Sequence, residues 1–158
     1  MLLRLNAKYI SKFSTQCLTF VMRHPLKIYD MMKHEVAIKR AYEPASADDG
    51  YRIYIDRLWP RGLSHETFHY NLWDKDIAPS TELREWFHTD PDNLWDEFVK
   101  RYKAELRSNP AYTSLLKAIE DKPKVTLLYS SHDRQCNNAV VLEQMLAEAG
   151  WNPVAAEQ

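Results

Sequence analysis

Apolar and polar residues alternate in the stretch from Tyr51 to Ile55, and this period of two predicts a β-strand. Residues 124–130 (KVTLLYS) are almost continuously apolar, which is typical of a strand that is covered on both faces. A shorter alternation in residues 35–42 predicts a first, half-exposed strand, and residues 151–154 (WNPV) predict a short final one. These four segments supply the predicted sheet.

Helices are predicted where apolar residues recur every three or four positions behind a residue that can cap a helix. In the longest one, Leu94, Phe98, Tyr102 and Leu106 form an apolar stripe. Two of the starts carry a proline at the first helical position, where the missing N–H has no intrahelical partner to lose. The predicted helices begin at Ser64, at Ser80, at Asp90, at Asn109 and at Ser131 or Asp133.

Alternation of strands with helices predicts an α/β fold, a single three-layer domain with a small, mainly parallel sheet and helices on both faces. We assign residues 34–158 to this domain. The first two strands are joined by only about nine residues, which is short for a parallel crossover, so their relative direction is left open.

Residues 1–33 differ in composition, with six Lys or Arg and a single acid, Asp30. Two interpretations are open. The segment resembles a transit presequence, which is basic and poor in acids. Alternatively it is an upstream extension, with translation starting at Met31 or Met32, and this interpretation is favoured. In both cases we expect residues 1–33 to lie outside the fold.

Composition narrows the classes of function. The formal net charge is −1 and the isoelectric point is about 6.6, so no global charge attracts nucleic acid or anionic lipid. Three glycines and the absence of G-x-G-x-x-G or Walker patterns argue against a nucleotide cofactor, and we predict none. Two cysteines are too few for a disulfide framework, so we predict a reducing, cytoplasmic location. The oligomeric state is left open.

Several functional side chains follow the strand that ends near Ile55. Pro60 and Gly62 interrupt regular structure there, so this segment is a loop at the carboxyl end of a strand. Ligands of α/β proteins bind at that edge of the sheet. The candidate residues in this loop are Asp56, Arg57, Trp59 and Arg61. Asp56 is the candidate catalytic residue, as a base or as the ion-pair partner of an arginine, and Trp59 is the candidate for stacking on a planar ligand.

A second group of candidates lies beyond this loop. Guanidinium groups and the unpaired backbone amides of a helix N-terminus both bind anions, and arginine grips phosphate or carboxylate with two parallel hydrogen bonds. We therefore predict that the arginines meet the start of the last helix at one anion site. The additional candidate ligand-binding residues are Arg84, Ser131, Asn137 and Asn138. Each arginine also has a structural interpretation, as a member of a surface ion pair.

Two further motifs favour ordinary roles. His65, Glu66 and His69 match H-E-x-x-H, the pattern of a zinc hydrolase, but the predicted helix is short and no third ligand follows. We predict no metal site there.

Cys136 precedes a predicted helix and would be a reactive thiolate if its pKa were lowered. A phosphatase-like loop needs an arginine six residues later, where Leu142 stands, so an ordinary cysteine is favoured.

Three long motifs resemble one protein family. They are GYRIYIDRLWPRGLS, IAPSTELREWF and VTLLYSSHDRQCNNAVVL, in that order. Together they resemble the domain of unknown function 488 (DUF488) family in its short YeaO-like branch, over residues from about 36 to 146. The resemblance implies a small three-layer α/β domain of bacteria or archaea and brings no established reaction. It also implies that this chain departs from its relatives at Asn138, often His, and at Cys136, often His or Gln. The residues that match the family pattern are Asp56, Arg57, Arg61, Ser80, Glu82, Arg84 and Asn137.

Two classes of function are therefore carried forward, and the residues leave open whether the protein is an enzyme. In the first, an enzyme or sensor binds a small anionic ligand, such as a phosphoester or nucleotide, at the carboxyl edge of the sheet. In the second, a non-catalytic module binds protein or RNA through the loop of residues 56–62. A compact pocket around Arg57, Arg61 and Asn138 would favour the first class, and an open arginine surface would favour the second. Nucleic acid is the weaker partner because the net charge is −1.

Overall fold

The computed structural model describes residues 34–155, so the predictions for residues 1–33 lie outside the described residues. Five strands of this region form one sheet in the order β3-β2-β4-β1-β5, and each neighbouring pair is parallel. The strands are β1 (Glu35–Arg40), β2 (Tyr51–Tyr54), β3 (Leu72–Trp73), β4 (Lys124–Tyr129) and β5 (Asn152–Pro153). The predicted α/β fold with a small parallel sheet is confirmed.

The sheet settles the direction of the first two strands. Both β1 and β2 pair in parallel with β4, which lies between them, so they run the same way. Ile38 and Ile53 stand opposite Leu127 from its two sides. The link of residues 41–50 must run from the end of β1 back to the level where β1 starts, a distance of about 20 Å at ~3.3 Å per residue. Ten residues reach up to ~33 Å when extended, so this crossover needs no α-helix.

Four α-helices occur in residues 34–155: α1 (Thr81–Phe87), α2 (Pro91–Ser108), α3 (Pro110–Ile119) and α4 (Asn138–Glu148). The predicted caps of α1 and α3 are confirmed. The Ser80 hydroxyl accepts a hydrogen bond from the Leu83 backbone N–H at 3.1 Å, and the Asn109 side chain accepts one from Ala111 N–H at 2.9 Å. Helix α2 begins at a proline, as predicted. Within this region, none of the helices has the length and apolar character that a membrane span requires.

Two predicted helix starts are wrong. Residues 64–70 form no helix. Their turn is confined to residues 65–67, where the side chains of Ser64 and Thr67 accept each other's backbone N–H at 3.2 Å. The last helix begins at Asn138, where Asn137 is the cap, and not after Ser131 or Asp133. In both places a residue of the right type to cap a helix stabilises a local turn instead.

The two faces of the sheet are covered in different ways. On the first face Val36, Ile53 and Leu127 pack against buried residues of all four helices. On the second face Tyr54 and Leu128 pack against Phe68 and a set of aromatic and apolar side chains from β3 and the loop before it. The described residues that cover that face come from β3, from the loop before it and from the 3-10 turn Ala47–Asp49. No residue of the four α-helices belongs to the aromatic and apolar cluster on that face.

Candidate functional site

Asp56 is the centre of a hydrogen-bonded cluster at the carboxyl edge of the sheet. Its carboxylate accepts hydrogen bonds from the Ser130 backbone N–H at 2.8 Å, from the Ser130 hydroxyl, and from Asn138 Nδ2 at 2.9 Å. Its backbone carbonyl accepts one from Trp73 Nε1 at 2.8 Å. The residue thus ties the end of β2 to β3, β4 and α4. Every donor in this cluster is neutral.

The buried Tyr54 side chain extends this cluster toward the loop. Its hydroxyl donates to the Leu58 backbone carbonyl at 2.7 Å and lies 3.5 Å from the Asp56 carboxylate. Burial raises the pKa of Tyr54, and the nearby Asp56 charge raises it further. The phenol therefore stays protonated at neutral pH and remains a hydrogen-bond donor to the loop.

Trp59 belongs to the aromatic cluster on the second face. Its ring centroid lies 3.8 Å from that of His65 and 5.4–6.5 Å from those of four further aromatic residues. Its Nε1 donates to the Leu63 carbonyl at 2.7 Å. The four further residues are Tyr54, Phe68, Tyr70 and Trp73. These contacts use the indole to hold the loop, so the expectation that Trp59 stacks on a planar ligand gains no support.

The exposed part of the loop consists of two arginines, a leucine and a glycine, Gly62. We call residues 56–62 the contact loop. Leu58 is 66% exposed, and Tyr42, at 41%, is the other exposed large hydrophobic residue in the described chain. Arg57 reaches only the Ala78 carbonyl, at 3.5 Å, and Arg61 has no hydrogen bond or ion pair with any described residue. The contact loop therefore presents Arg57, Leu58 and Arg61 to solvent.

The other predicted ligand residues are separated from these arginines or engaged in structural contacts. Arg84 is exposed on α1 and pairs with no described residue. Asn137 is buried; it accepts from Val140 N–H at 3.2 Å and donates to the Asp133 carbonyl at 2.9 Å. Ser131 accepts from Asp133 N–H through its hydroxyl at 3.2 Å. Within the described chain, none of these three side chains forms a hydrogen bond or ion pair with the contact loop.

Asp133 occupies two backbone amides of the segment before α4. One of its carboxylate oxygens accepts from Gln135 N–H at 2.8 Å and from Cys136 N–H at 2.9 Å. These bonds hold the pKa of Asp133 below its usual range. Burial raises the pKa of the Cys136 thiol, and Asp133 adds to that effect. The surroundings of Cys136 therefore disfavour the thiolate that a nucleophile would need.

The H-E-x-x-H residues do not share a helical face. His65 lies in the turn of residues 65–67 and packs on Trp59, whereas His69 lies in the irregular stretch after that turn. Across residues 34–155, no group of three or more His, Cys, Asp or Glu side chains is placed to hold a metal ion.

Sequence reasoning missed three contributors to this region. Ser130 follows β4 directly, so the rule that parallel strands end at one edge was sufficient to place it near Asp56. Tyr54 was treated only as a strand residue, although its hydroxyl fixes the contact loop. No pattern indicated that Leu58 is exposed, because exposure of a loop residue depends on the packing of its neighbours.

Comparison with known proteins assigns the family. A family model described as "Inactive DUF488-N3 subclade" matches residues 35–155. The chain belongs to the DUF488 family. It is 42% identical over 111 residues to the uncharacterized protein YeaO of Escherichia coli (strain K12), covering 70% of this chain and 96% of that protein. It is 39% identical over 111 residues to the uncharacterized protein Rv3073c of Mycobacterium tuberculosis (strain H37Rv), covering 70% and 92%.

Membership of the YeaO-like branch of DUF488 confirms the resemblance seen in the three sequence motifs. No solved structure shows significant similarity to the chain.

Proposed function

We propose that this DUF488 protein is a non-catalytic binding module whose contact loop binds an acidic segment of another protein. The observation that carries the proposal is Leu58, 66% exposed, in a loop whose other exposed side chains include two arginines. Arginine is enriched among the residues that dominate binding energy in protein interfaces, and the leucine beside it adds apolar surface that a partner would remove from water. The proposal rests on the second class of function predicted from the sequence.

Three side-chain hydrogen bonds to backbone carbonyls hold the contact loop in one conformation. Tyr54 donates to the Leu58 carbonyl, Trp59 donates to the Leu63 carbonyl, and Trp73 donates to the Asp56 carbonyl, at 2.7, 2.7 and 2.8 Å. Each bond fixes backbone while leaving the Arg57 and Leu58 side chains outside. A loop that is already ordered loses less conformational entropy when a partner binds. Its rigidity therefore supports a recognition role.

The chemistry of the loop favours an acidic protein segment over RNA. Arg57 and Arg61 pair with no carboxylate among the described residues, so an incoming Asp or Glu would provide the missing partner. Single-stranded RNA binds largely by stacking bases on aromatic side chains. The nearby Trp59 is engaged by five aromatic neighbours, and the apolar residue that the loop exposes is Leu58.

Three observations support a non-catalytic role. The matching subclade is described as inactive. The carboxylate of Asp56, the candidate base, is taken up by Ser130 and Asn138. Arg57 and Arg61 are exposed on an open surface, whereas small ligands bind in cavities that bury most of their surface. By the criterion set out from the sequence, this arrangement favours an extended partner over the small anionic ligand.

The test uses short fluorescent peptides rich in Asp and Glu around one central Leu or Phe, with fluorescence anisotropy as the measurement. We expect binding that weakens with added salt, because exposed charges are screened. Arg61→Ser should weaken it roughly ten- to a hundredfold, since a charge-assisted hydrogen bond contributes about 1.5–3 kcal/mol. Leu58→Ser should weaken it through the loss of the apolar contact.

The matched control is Arg84→Ser, which removes an exposed arginine outside the contact loop and should leave peptide binding unchanged. Single-stranded RNA and inorganic phosphate are tested on the same proteins. Binding of RNA without binding of peptides would replace the proposal with RNA recognition. Binding of phosphate that is lost in Arg57, Arg61 and Arg84 variants alike would restore the small-anion hypothesis. Equal binding by wild type and both loop variants would end the proposal.

A further inference from the structure

A second polar region lies on the second face of the sheet. A cavity of about 200 Å³ opens there between the 3-10 turn Ala47–Asp49 and strands β1 and β4. No residue of the contact loop lines it. The polar residues that line it are Lys39, Ser46, Asp48, Asp49, Lys124 and Thr126.

We propose that this cavity binds a small molecule through a carboxylate or phosphate group. Its volume of about 200 Å³ corresponds to six or seven water molecules at ~30 Å³ each. Pockets for drug-sized ligands begin at roughly 300 Å³, so the occupant is smaller than these. The proposal is independent of the contact loop and places the small anionic ligand at a different site from the one predicted at the carboxyl edge.

Lys124 provides the free cation of the site. It is half-buried, it lines the cavity, and its ammonium group has no hydrogen bond or ion pair with any residue of the described chain. An ammonium group in such a place gains from an anion, because charge attraction is stronger where water is partly excluded. The unpaired charge of Lys124 is therefore the reason for proposing an anionic ligand.

The charges around the cavity differ in how far they are already paired. Asp49 is bound by Lys39 and by Arg52, which contacts it from beside the cavity. The other charged residues of the lining are Asp48 and Lys124, and Glu35 stands opposite Lys124 in the sheet register. The Lys124 ammonium forms no ion pair with a carboxylate of the described residues, so the anionic group of a ligand would give it a partner.

Lys39 is positioned to contribute a second donor. Its Nζ lies 3.0 and 3.3 Å from the two Asp49 carboxylate oxygens, which fixes the ammonium at the cavity wall. Those two bonds leave at least one of its three N–H groups available. Asp49 itself is held by the Arg52 guanidinium and by Ser46 N–H at 2.9 Å. The ligand would thus meet a cation whose orientation is already set.

The wall of the cavity is fixed by close packing. Gly50 has a φ of +64°, and a Cβ at this position would lie 2.5 Å from the Lys124 carbonyl oxygen. The Thr126 hydroxyl donates to the Asp49 carbonyl at 2.6 Å. The 3-10 turn therefore lies directly on β4, and the cavity exists before a ligand arrives. A preformed site binds with less loss of entropy than one that must order itself.

The experiment is a nuclear magnetic resonance titration of the full chain with inorganic phosphate and, separately, with succinate, against sodium chloride at equal ionic strength. We expect phosphate, succinate or both to shift the amide signals of Gly50, Ser46 and their neighbours. Lys124→Met keeps most of the aliphatic stem and removes the charge, so binding should weaken at least about tenfold. Lys117→Met, at an exposed position on α3, is the matched control and should bind like wild type.

The outcomes separate cleanly. A response to one probe only would support the site and identify which anionic group it takes. Unchanged binding in both Lys124→Met and Lys124→Gln, or shifts no larger than those with sodium chloride, would overturn the proposal. Leu58→Ser should leave this titration unchanged, so failure here is distinguishable from failure of the contact loop. Thermal unfolding of each variant establishes that it is folded during the measurement.

Discussion

Two aspartates of this protein are bound by chemically different partners. Asp56 at the carboxyl edge is bound by neutral donors from Ser130 and Asn138. Asp49 on the second face is bound by two cations, Lys39 and Arg52. In the first arrangement the Asp56 carboxylate is bonded within the fold, and the side chains that the contact loop exposes are Arg57, Leu58 and Arg61. In the second, one carboxylate is shared by two cations, and the Lys124 ammonium at the cavity beside it pairs with no carboxylate of the described residues.

Residue type alone does not mark a binding site in this protein. At the carboxyl edge the candidate base Asp56 is bonded to Ser130 and Asn138, and only Arg57 and Arg61 of the contact loop are left without a carboxylate partner among the described residues. The second face was not singled out from the sequence, yet it retains an unpaired lysine at a cavity. What distinguishes the two regions is which groups remain without a partner in the folded chain.

The largest effect is expected for Asp49→Ala. The substitution leaves Lys39 and Arg52 without their carboxylate in a largely buried position, which destabilises proteins by about 3–5 kcal/mol. Urea unfolding followed by tryptophan fluorescence measures the change. The matched control is Asp48→Ala at the neighbouring exposed position, where we expect a loss within about 0.5 kcal/mol. Equal losses in the two variants would show that the charged network contributes nothing specific.

A smaller effect is expected for Asp56→Asn. The amide keeps the size of the carboxylate but replaces one acceptor oxygen by a donor, so a Ser130 or Asn138 hydrogen bond is lost. Loss of a buried hydrogen-bond partner costs about 1–3 kcal/mol, and no cation is left unpaired. Urea unfolding should therefore give a loss below that of Asp49→Ala. The reverse order would contradict the expectation that losing a carboxylate bound by cations costs more stability than losing one bound by neutral donors.

The smallest effect is the dependence of stability on pH. Burial raises the pKa of Asp49, but hydrogen bonds from Ser46, Lys39 and Arg52 outweigh burial and lower the pKa overall from its ordinary 3.8. The stabilisation by this carboxylate is therefore present above its unfolded pKa of about 3.9 and is lost as pH falls through the lower folded value. The difference in unfolding free energy between wild type and Asp49→Asn should shrink as pH falls below about 4. A difference that stays constant down to pH 2 would contradict this.

Much of the fold was readable from local patterns. The apolar run of residues 124–130 gave β4, and Ser80 and Asn109 marked the starts of α1 and α3. The edge argument also placed Asp56 and Asn138 near each other, and they are joined by a hydrogen bond of 2.9 Å. These features depend on periodicity, on capping chemistry or on the single rule that parallel strands end together.

The remainder depends on contacts between distant segments. Ser131, Asp133 and Asn137 are all residue types that cap helices, and only tertiary packing selects Asn137. Strand β3 has two residues, too few for any period to show. The ion pair of Asp49 with Lys39 requires the crossover of residues 41–50 to return beside β1. A cavity formed by such a return has no local signature in the sequence.

The strand order also has a consequence for how the chain folds. Strands β1 and β2 do not pair with each other, since β4 lies between them, and Ile53 meets Leu127 only across more than seventy residues. During synthesis, the first two strands therefore emerge long before the strand that joins them. Contacts of such long range are slow to form, because the intervening loop must close first. Until β4 arrives, both strands have unpaired edges of the kind that other chains can pair with.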